Sequence, residues 1–127
     1  MARGSDPVER VRAISLALPE VEERPFGGHT SPAFRVRNKM FVTTSEDGTY
    51  MTMKVRPGVQ QALVGDDPEL FFVPPYVGSK GWVGVRLRRE PGGAAVEQDW
   101  EELRGLIEDS YRMIAPKRLA ALLERRD

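Results

Sequence analysis

The stretch of sequence that decides the fold is residues 33–55, AFRVRNKMFVTTSEDGTYMTMKV. Apolar and polar residues alternate there in three short runs, and residues typical of turns separate the runs. Such alternation is the pattern of strands that bury one face and expose the other. We therefore expect three consecutive antiparallel strands, at roughly residues 33–37, 40–45 and 49–55.

The turns between these runs determine which side chains share a face. A two-residue turn at residues 38–39 would pair Val36 with Phe41. A three-residue loop at residues 46–48 would then place Met53 beside Phe41, which keeps apolar residues together. One face is expected to carry Phe34, Val36, Phe41, Thr43, Met51, Met53 and Val55. The other face is expected to carry Arg35, Arg37, Met40, Val42, Tyr50, Thr52 and Lys54.

A helix is expected before these strands. Asp6 and Pro7 have the form of an N-cap followed by proline at the first helical position, and apolar residues then recur at helical spacing. This helix should run to about Leu18. The next segment, PEVEERPFGGHTSP at residues 19–32, is acidic and rich in turn-forming residues, which is typical of a connector.

Alternating and helical patterns continue after residue 55. The expected elements are a short helix from Pro57 to about Gly65, a turn at Asp67 and Pro68, a strand at 82–88, an edge strand at 94–97, an amphipathic helix capped by Asp99, and a last helix that Pro116 either starts or kinks. This order predicts an α+β two-layer sandwich, an antiparallel sheet with helices packed on one face. We expect a single domain over residues 1–127, with residues 1–5 as a flexible tail.

Composition limits the possible functions. The chain has 127 residues, 40% of them hydrophobic, which is enough for one core without disulfides or metal. It has no cysteine, which excludes thiolate zinc sites and cysteine nucleophiles. Basic and acidic residues balance at 19 each, so a binding site for nucleic acid would have to be a local basic patch.

No apolar run approaches the ~20 residues that span a bilayer. The first residues, MARGSD, lack the apolar region of a signal peptide. We therefore expect a cytoplasmic protein without a membrane partner.

Five phrases of the sequence occur together in a known order. They are PFGGH at 25–29, FRVRNKMF at 34–41, PPYVGSKGWVGVRL at 74–87, WEELRGLIEDSY at 100–111 and APKRL at 115–119. In this order and spacing they resemble the MmcQ/YjbR family of small bacterial proteins. The resemblance implies a fold of the secretion-chaperone-like or CyaY-like kind and a DNA-binding function, under which the family is commonly described. It implies no catalytic residues.

Catalytic and metal-binding patterns are weak. His29 is the only histidine, and no metal-ligand spacing surrounds it, so a loop histidine bonded to the backbone is favoured. The serines lie in no nucleophile motif. Gly78, Gly81 and Gly84 open a strand rather than a helix, which excludes a phosphate-binding glycine loop. We expect no enzymatic activity, no metal and no cofactor.

The face of the sheet opposite the helices, which we call the open face, is the candidate binding surface. On strand 82–88, Trp82, Arg86 and Arg88 alternate with aliphatic residues, and no acidic residue falls on the open face of the predicted strand cores. Cations among aromatic rings can hold phosphates and stack on bases. The candidate nucleic-acid-binding residues are Arg35, Arg37, Tyr50, Lys54, Lys80, Trp82, Arg86, Arg88, Lys117 and Arg118.

Other interpretations of these residues stay open. Long arginine side chains also cover a solvated sheet face, and the same face could bind a protein partner or a second copy of the chain. Lys117 and Arg118 stand at a helix start, where the dipole disfavours cations unless an anion compensates, or lie unremarkably within a kinked helix. A third hypothesis is a small-molecule or metal site near His29, Tyr76 and Trp82.

Overall fold

The computed structural model describes residues 6–25 and 31–124. The elements in chain order are α1 (Pro7–Leu16), β1 (Val21–Glu23), β2 (Ala33–Val36), β3 (Lys39–Thr44), β4 (Tyr50–Lys54), α2 (Val59–Asp66), β5 (Phe71–Phe72), β6 (Trp82–Arg86), α3 (Trp100–Ile114) and α4 (Lys117–Leu123). A short 3-10 turn at Gly78–Lys80 precedes β6. The predicted tail at 1–5 and the loop position of His29 lie outside the described residues.

The strands of the described residues form one antiparallel sheet of six, in the order β1-β2-β3-β4-β6-β5. Each of the four described helices contributes side chains to a single core on one face of this sheet. The predicted α+β architecture, a sheet with helices packed on one face, is thus confirmed. Three segments at the edges of the sheet differ from the prediction. Phe71–Phe72, expected to end a turn, form the edge strand β5. The connector contains the edge strand β1, and residues 94–97 form only an isolated bridge between Ala95 and Arg88 instead of a strand.

The strand β1 exists because of its neighbours. Val21 is its one apolar residue, and the strand pairs along its length with β2. The Glu23 carboxylate accepts hydrogen bonds from Arg12 of α1, at 3.0 Å from Nε. A three-residue strand held by pairing and an ion pair has no alternating pattern of its own, so the sequence does not reveal it.

Capping residues set the helix starts as predicted. Asp6 accepts a hydrogen bond from the backbone of Val8 at 3.0 Å, with Pro7 at the first helical position. Asp99 likewise accepts a hydrogen bond from the backbone of Glu102 at 3.1 Å and is the N-cap of α3. The last helix is separate from α3, because Pro116 is its N-cap and the chain between them is extended.

The centre of the core lies between α3 and the middle strands. Phe41 and Tyr111 are both fully buried, and their rings meet edge to face with centroids 5.8 Å apart. The Tyr111 hydroxyl donates to the Pro19 carbonyl at 2.8 Å, which ties α3 to the chain entering β1. Burial is also the main reason that the pKa of the Tyr111 hydroxyl is raised. Fully burying one such side chain contributes roughly 1.5–3 kcal/mol.

The first hairpin turns one residue earlier than predicted. Arg37 and Asn38 form the two-residue turn with φ of 50° and 69°, and Val36 lies opposite Lys39. Both positive φ angles are those of the type I′ turn that matches strand twist. The predicted turn at residues 38–39, with Val36 opposite Phe41, is therefore wrong.

A β-bulge in β3 changes which residues of this strand face the helices. Arg35 pairs with Met40 and Phe34 pairs with Val42, which leaves Phe41 as the extra residue. Because two residues of the bulged strand oppose one on its partner, Phe41 and Val42 both turn toward the helices. Val42 is fully buried, and the prediction that it lies on the open face is wrong.

The second hairpin differs by one residue as well. Met53 pairs with Val42 rather than lying beside Phe41, and Ser45 bonds to Tyr50, which makes the loop four residues long. Thr43 consequently faces away from the helices, and its hydroxyl lies 2.6 Å from that of Thr52. The one-residue change in the second hairpin and the bulge in β3 offset each other. The residues of β4 therefore occupy the predicted faces.

Candidate nucleic-acid interface

The open face is a continuous surface of the four inner strands. Its side chains come from alternate positions of β3, β4 and β6, which the antiparallel register places in rows. One row contains Lys54 beside Trp82, and a second contains Tyr50 beside Arg86. Between these rows, Thr52 lies beside Gly84.

Phe72 covers the empty position at Gly84. The two residues pair across β5 and β6, and a Cβ at Gly84 would overlap the Phe72 ring. The ring also meets Tyr50 edge to face at 5.4 Å, and the Arg86 guanidinium lies 4.6 Å from its centroid. Sequence analysis missed Phe72. A glycine within an alternating strand, preceded by a Phe-Phe pair, was the available signal.

A groove of about 660 Å³ lies over the centre of the open face. Its floor and walls are largely aromatic and apolar, with some hydroxyl and carboxylate groups, and we call it the aromatic groove. They include Met40, Thr43, Tyr50, Thr52, Tyr76 and Trp82. Pro74 and Pro75 form one wall, and the 45–47 loop forms the opposite one with Glu46 and Asp47. Among the described residues that line it, none is a lysine or an arginine.

The 45–47 wall is held by Asp47. Its Oδ1 accepts hydrogen bonds from the Thr49 hydroxyl at 2.6 Å, the Thr49 amide at 3.0 Å and the Ser45 hydroxyl at 2.9 Å. These bonds, chiefly that from the Thr49 hydroxyl, lower the pKa of the Asp47 carboxyl. Gly48 follows with a φ of 77°, as the turn requires.

A second groove, of about 500 Å³, adjoins the first. Arg86, Arg88 and Arg89 line it, and we call it the arginine groove. Carboxylates also line it, from Asp67, Glu69 and Glu97. Tyr50 lines both grooves and therefore lies between them.

The three arginines differ in how strongly other groups hold their side chains. Arg88 donates to the Gly93 carbonyl at 2.7 Å and lies 3.6 Å from Asp6, so it is largely engaged. Arg86 rests on the Phe72 ring and makes only long contacts, 3.3–3.4 Å, to two backbone carbonyls. Among the described residues, neither Arg86 nor Arg89 forms an ion pair.

The loop that contains Pro74 and Pro75, one wall of the aromatic groove, leads into a segment that is held by hydrogen bonds from α2 and β4. Gln60 of α2 is buried, and its amide donates to the carbonyls of Gly78 at 2.8 Å and Trp82 at 2.7 Å. Lys54 donates to the Lys80 carbonyl at 2.5 Å from the sheet side. Sequence analysis missed Gln60, because a polar residue on a short helix gives no sign of a partner 18 residues away.

The candidate residues fall into two groups. Arg35, Tyr50, Lys54, Trp82 and Arg86 share the open face, with Lys80 joined to Lys54 and Arg88 at the far end of the arginine groove. Tyr76 and Trp82, two members of the small-molecule hypothesis, both line the aromatic groove. The open face is not free of acids, however, because β1 places Glu22 beside Arg35.

The remaining candidates lie elsewhere. Arg37 stands in the first hairpin turn and donates to Glu20 at 2.8 Å, which lowers the pKa of the Glu20 carboxyl and raises that of Arg37. Arg118 acts on the same carboxylate and so belongs to that cluster. Lys117 adjoins it at the start of α4, and the structure does not bring either residue to the open face.

Within residues 6–25 and 31–124, the structure also bears on a metal site and on a membrane span. No three histidine, aspartate or glutamate side chains there are grouped to hold a metal ion. None of the helices in that part of the chain combines the length and the apolar character needed to span a bilayer.

Comparison with known proteins relates this geometry to a family. No curated protein matches the chain. Among solved structures, the Deinococcus radiodurans protein DR2400, with a DUF419 domain, is similar at a TM-score of 0.66 and 22% identity, covering 84% of this chain and 76% of that one. This likeness shows the fold. The YjbR family model matches residues 16–113, most of the chain, and the protein therefore belongs to the YjbR family, as the resemblance implied.

Proposed function

We propose that this protein is a non-enzymatic, cytoplasmic binding protein that takes single-stranded nucleic acid on its open face. Bases would enter the aromatic groove and phosphates would lie in the arginine groove. The observation that carries the proposal is the position of Tyr50, which lines both grooves and so joins an aromatic surface to one that contains Arg86 and Arg89. A nucleotide needs these two environments side by side.

The side chains of the aromatic groove suit unpaired bases. Trp82 and Tyr50 provide ring surfaces, and stacking of one base on an aromatic side chain contributes about 1–3 kcal/mol. The hydroxyls of Thr43 and Thr52 lie on the floor, where they can bond to base edges. Base edges are accessible in this way only when the strand is single.

The arrangement does not suit duplex DNA. Reading a duplex usually requires a helix or ribbon that enters the major groove. The described helices all pack into the core on the opposite face of the sheet, so none projects from the open face. A concave, sheet-based surface is instead the form used by single-strand binders.

The charge distribution predicts a modest salt dependence. Arg86 and Arg89 are the cations of the arginine groove without an ion pair among described residues, and Lys54 lies opposite Trp82 on the neighbouring strand. If two or three phosphates are neutralised, log K should fall with log salt at a slope of about −1.4 to −2.

Anisotropy of labelled single-stranded DNA and RNA, measured between 50 and 200 mM salt, tests the proposal. We expect binding that weakens with salt and falls at least about tenfold in Arg86→Glu. Arg118→Glu makes the same charge change on the opposite layer and should leave affinity within about threefold. Binding that ignores salt, or equal losses in both variants, would contradict the proposal.

A protein partner on the same face is the second candidate function. Tyr76 is 93% exposed and Val73 is 55% exposed beside the aromatic groove, an apolar display that a polypeptide could cover. The partner could be a second copy of the chain. Sedimentation at several concentrations separates these cases, since a dimer through this face would be weakened by Tyr76→Ser and little affected by salt.

A further inference from the structure

Tyr76 has an unusual backbone. Its φ is 68°, and the amide of Val77 donates to the carbonyl of Pro75 at 2.7 Å. A three-residue turn with positive φ at its centre is the rare, strained form of the γ-turn. Glycine would adopt it without the steric penalty that a tyrosine pays through its Cβ.

The other left-handed residues in the described part of the chain have local reasons for their geometry. Glu20 and Arg37 form an ion pair at 2.8 Å, and Asn38 completes a type I′ turn while its side chain accepts from Arg24 at 2.6 Å. Tyr76 differs, because its ring is 93% exposed. Packing within the free protein therefore does not compensate for the strain.

The position of the ring suggests its use. Pro74 and Pro75 restrict the chain before it, and Gln60 bonds to Gly78 just after it, so the turn is rigidly supported. Tyr76 lines the aromatic groove together with Trp82 and Tyr50. An exposed aromatic ring, held at the rim of a groove with an aromatic floor, can close on a flat ligand from the solvent side.

Resting on the proposed function, we infer that the aromatic groove holds one unpaired base, that Tyr76 stacks on this base from the solvent side, and that the groove favours bases with an exocyclic amino group. The polar groups of the groove carry the preference. Asp47 contributes a carboxylate, Thr43 and Thr52 contribute hydroxyls, and none of the described lining residues is a lysine or an arginine. Carboxylates accept from the amino group of cytosine and repel the keto oxygens of uracil.

The fluorescence of Trp82 gives a direct readout. Trp82 and Trp100 are the only tryptophans, so in a Trp100→Phe background the signal comes from the groove alone. We expect oligocytidylate and oligoadenylate to change Trp82 emission and to bind more tightly than oligouridylate of equal length. Equal affinity for all three would overturn the base preference.

Substitutions at Tyr76 separate stacking from structure. Tyr76→Phe should keep affinity within about threefold, and Tyr76→Gly should weaken binding roughly 5- to 150-fold, the range expected for one stacked base. Thermal unfolding should show Tyr76→Gly to be at least as stable as wild type, because the strain is relieved. If Tyr76→Gly lowers Tm, Tyr76→Asn, which also tolerates this conformation, replaces it.

The outcomes distinguish the two hypotheses. If wild-type protein binds oligonucleotides and a stably folded Tyr76 variant without the ring binds within twofold of it, the stacking inference fails while the proposed function stands. If no oligonucleotide binds, the proposed function fails and this inference fails with it. A loss of affinity in Tyr76→Phe equal to that in Tyr76→Gly would also overturn stacking, because the phenyl ring keeps the aromatic surface.

Discussion

The two faces of the sheet are built by different means. On one face, Phe41, Met53 and Val85 are fully buried under helices. On the open face, Phe72 is the large side chain that crosses from an edge strand to cover its neighbours, and Tyr76 is left in solvent. Stability therefore depends mainly on the first face, and the second can carry residues chosen for binding.

The contrast is sharp within single strands. Met40 and Phe41 are adjacent in β3 and lie on opposite faces, with Met40 on the open face and Phe41 fully buried. Trp82 and Val83 are adjacent in β6, and only Val83 is fully buried. Neighbouring residues thus contribute to different properties, which makes paired substitutions informative.

The largest effect is expected from Phe41→Ala. Removing a buried ring that contacts Tyr111 should lower the free energy of unfolding by about 3–5 kcal/mol. Met40→Ala is the matched control on the open face and should lose less than half as much. Denaturation in urea measures both, and similar losses would mean that the two faces do not differ in their contribution to stability.

Gly84→Ala should be next in size. The new Cβ would overlap the Phe72 ring, and displacing the ring should cost about 1–3 kcal/mol and disturb both grooves. Gly105→Ala is the control, since the space around Gly105 on α3 is empty. Alanine there should stabilise the helix by about 0.5–1 kcal/mol. Opposite shifts in the urea midpoint are expected, and a neutral Gly84→Ala would contradict the packing of Phe72.

The bulge can be tested by two nearly isosteric substitutions. Val42→Thr would bury a hydroxyl on the helix-covered face and should cost about 1 kcal/mol or more. Thr43→Val removes only the contact with the Thr52 hydroxyl on the open face and should cost less. The reverse order would return Val42 to the open face and refute the bulge.

The smallest effect concerns pH. The pKa of Asp47 is lower in the folded protein, chiefly through the Thr49 hydroxyl, so Asp47 stabilises the fold at pH values above its ordinary pKa of about 4. That contribution is lost as pH falls through the lower folded-state pKa. Between pH 5 and about pH 2.5, the Tm of the wild-type protein should therefore fall by more than the Tm of the Asp47→Asn variant. Parallel curves would contradict the hydrogen-bonded role of Asp47.

Glu20→Gln provides the comparison away from the open face. Arg37 lowers the pKa of Glu20, so its contribution to stability has the same sign and is lost in the same acidic range. Only the Asp47 variant should also change nucleic-acid binding at neutral pH, because Asp47 holds a wall of the aromatic groove.

Local signals in the sequence determined much of the fold. Val83, Val85 and Leu87 alternate and are buried, Asp6 and Asp99 cap their helices, and the order of elements indicates the two layers. These features depend on the period of a strand or a helix and on the chemistry of backbone ends, both of which act over a few residues. The aromatic and basic side of β6 was predictable for the same reason.

Only the tertiary structure decided how these elements meet. Four features depend on residues that are distant in sequence or on a strand register that can shift by one residue. They are the bulge at Phe41, the pairing of β1, the contact of Phe72 with Gly84 and the hydrogen bonds from Gln60. A one-residue shift exchanges the faces of a strand, and no local pattern prevents it. The sequence therefore indicates that an aromatic and basic face exists, whereas packing between distant residues creates the two grooves and places Tyr76 at the rim of the aromatic groove.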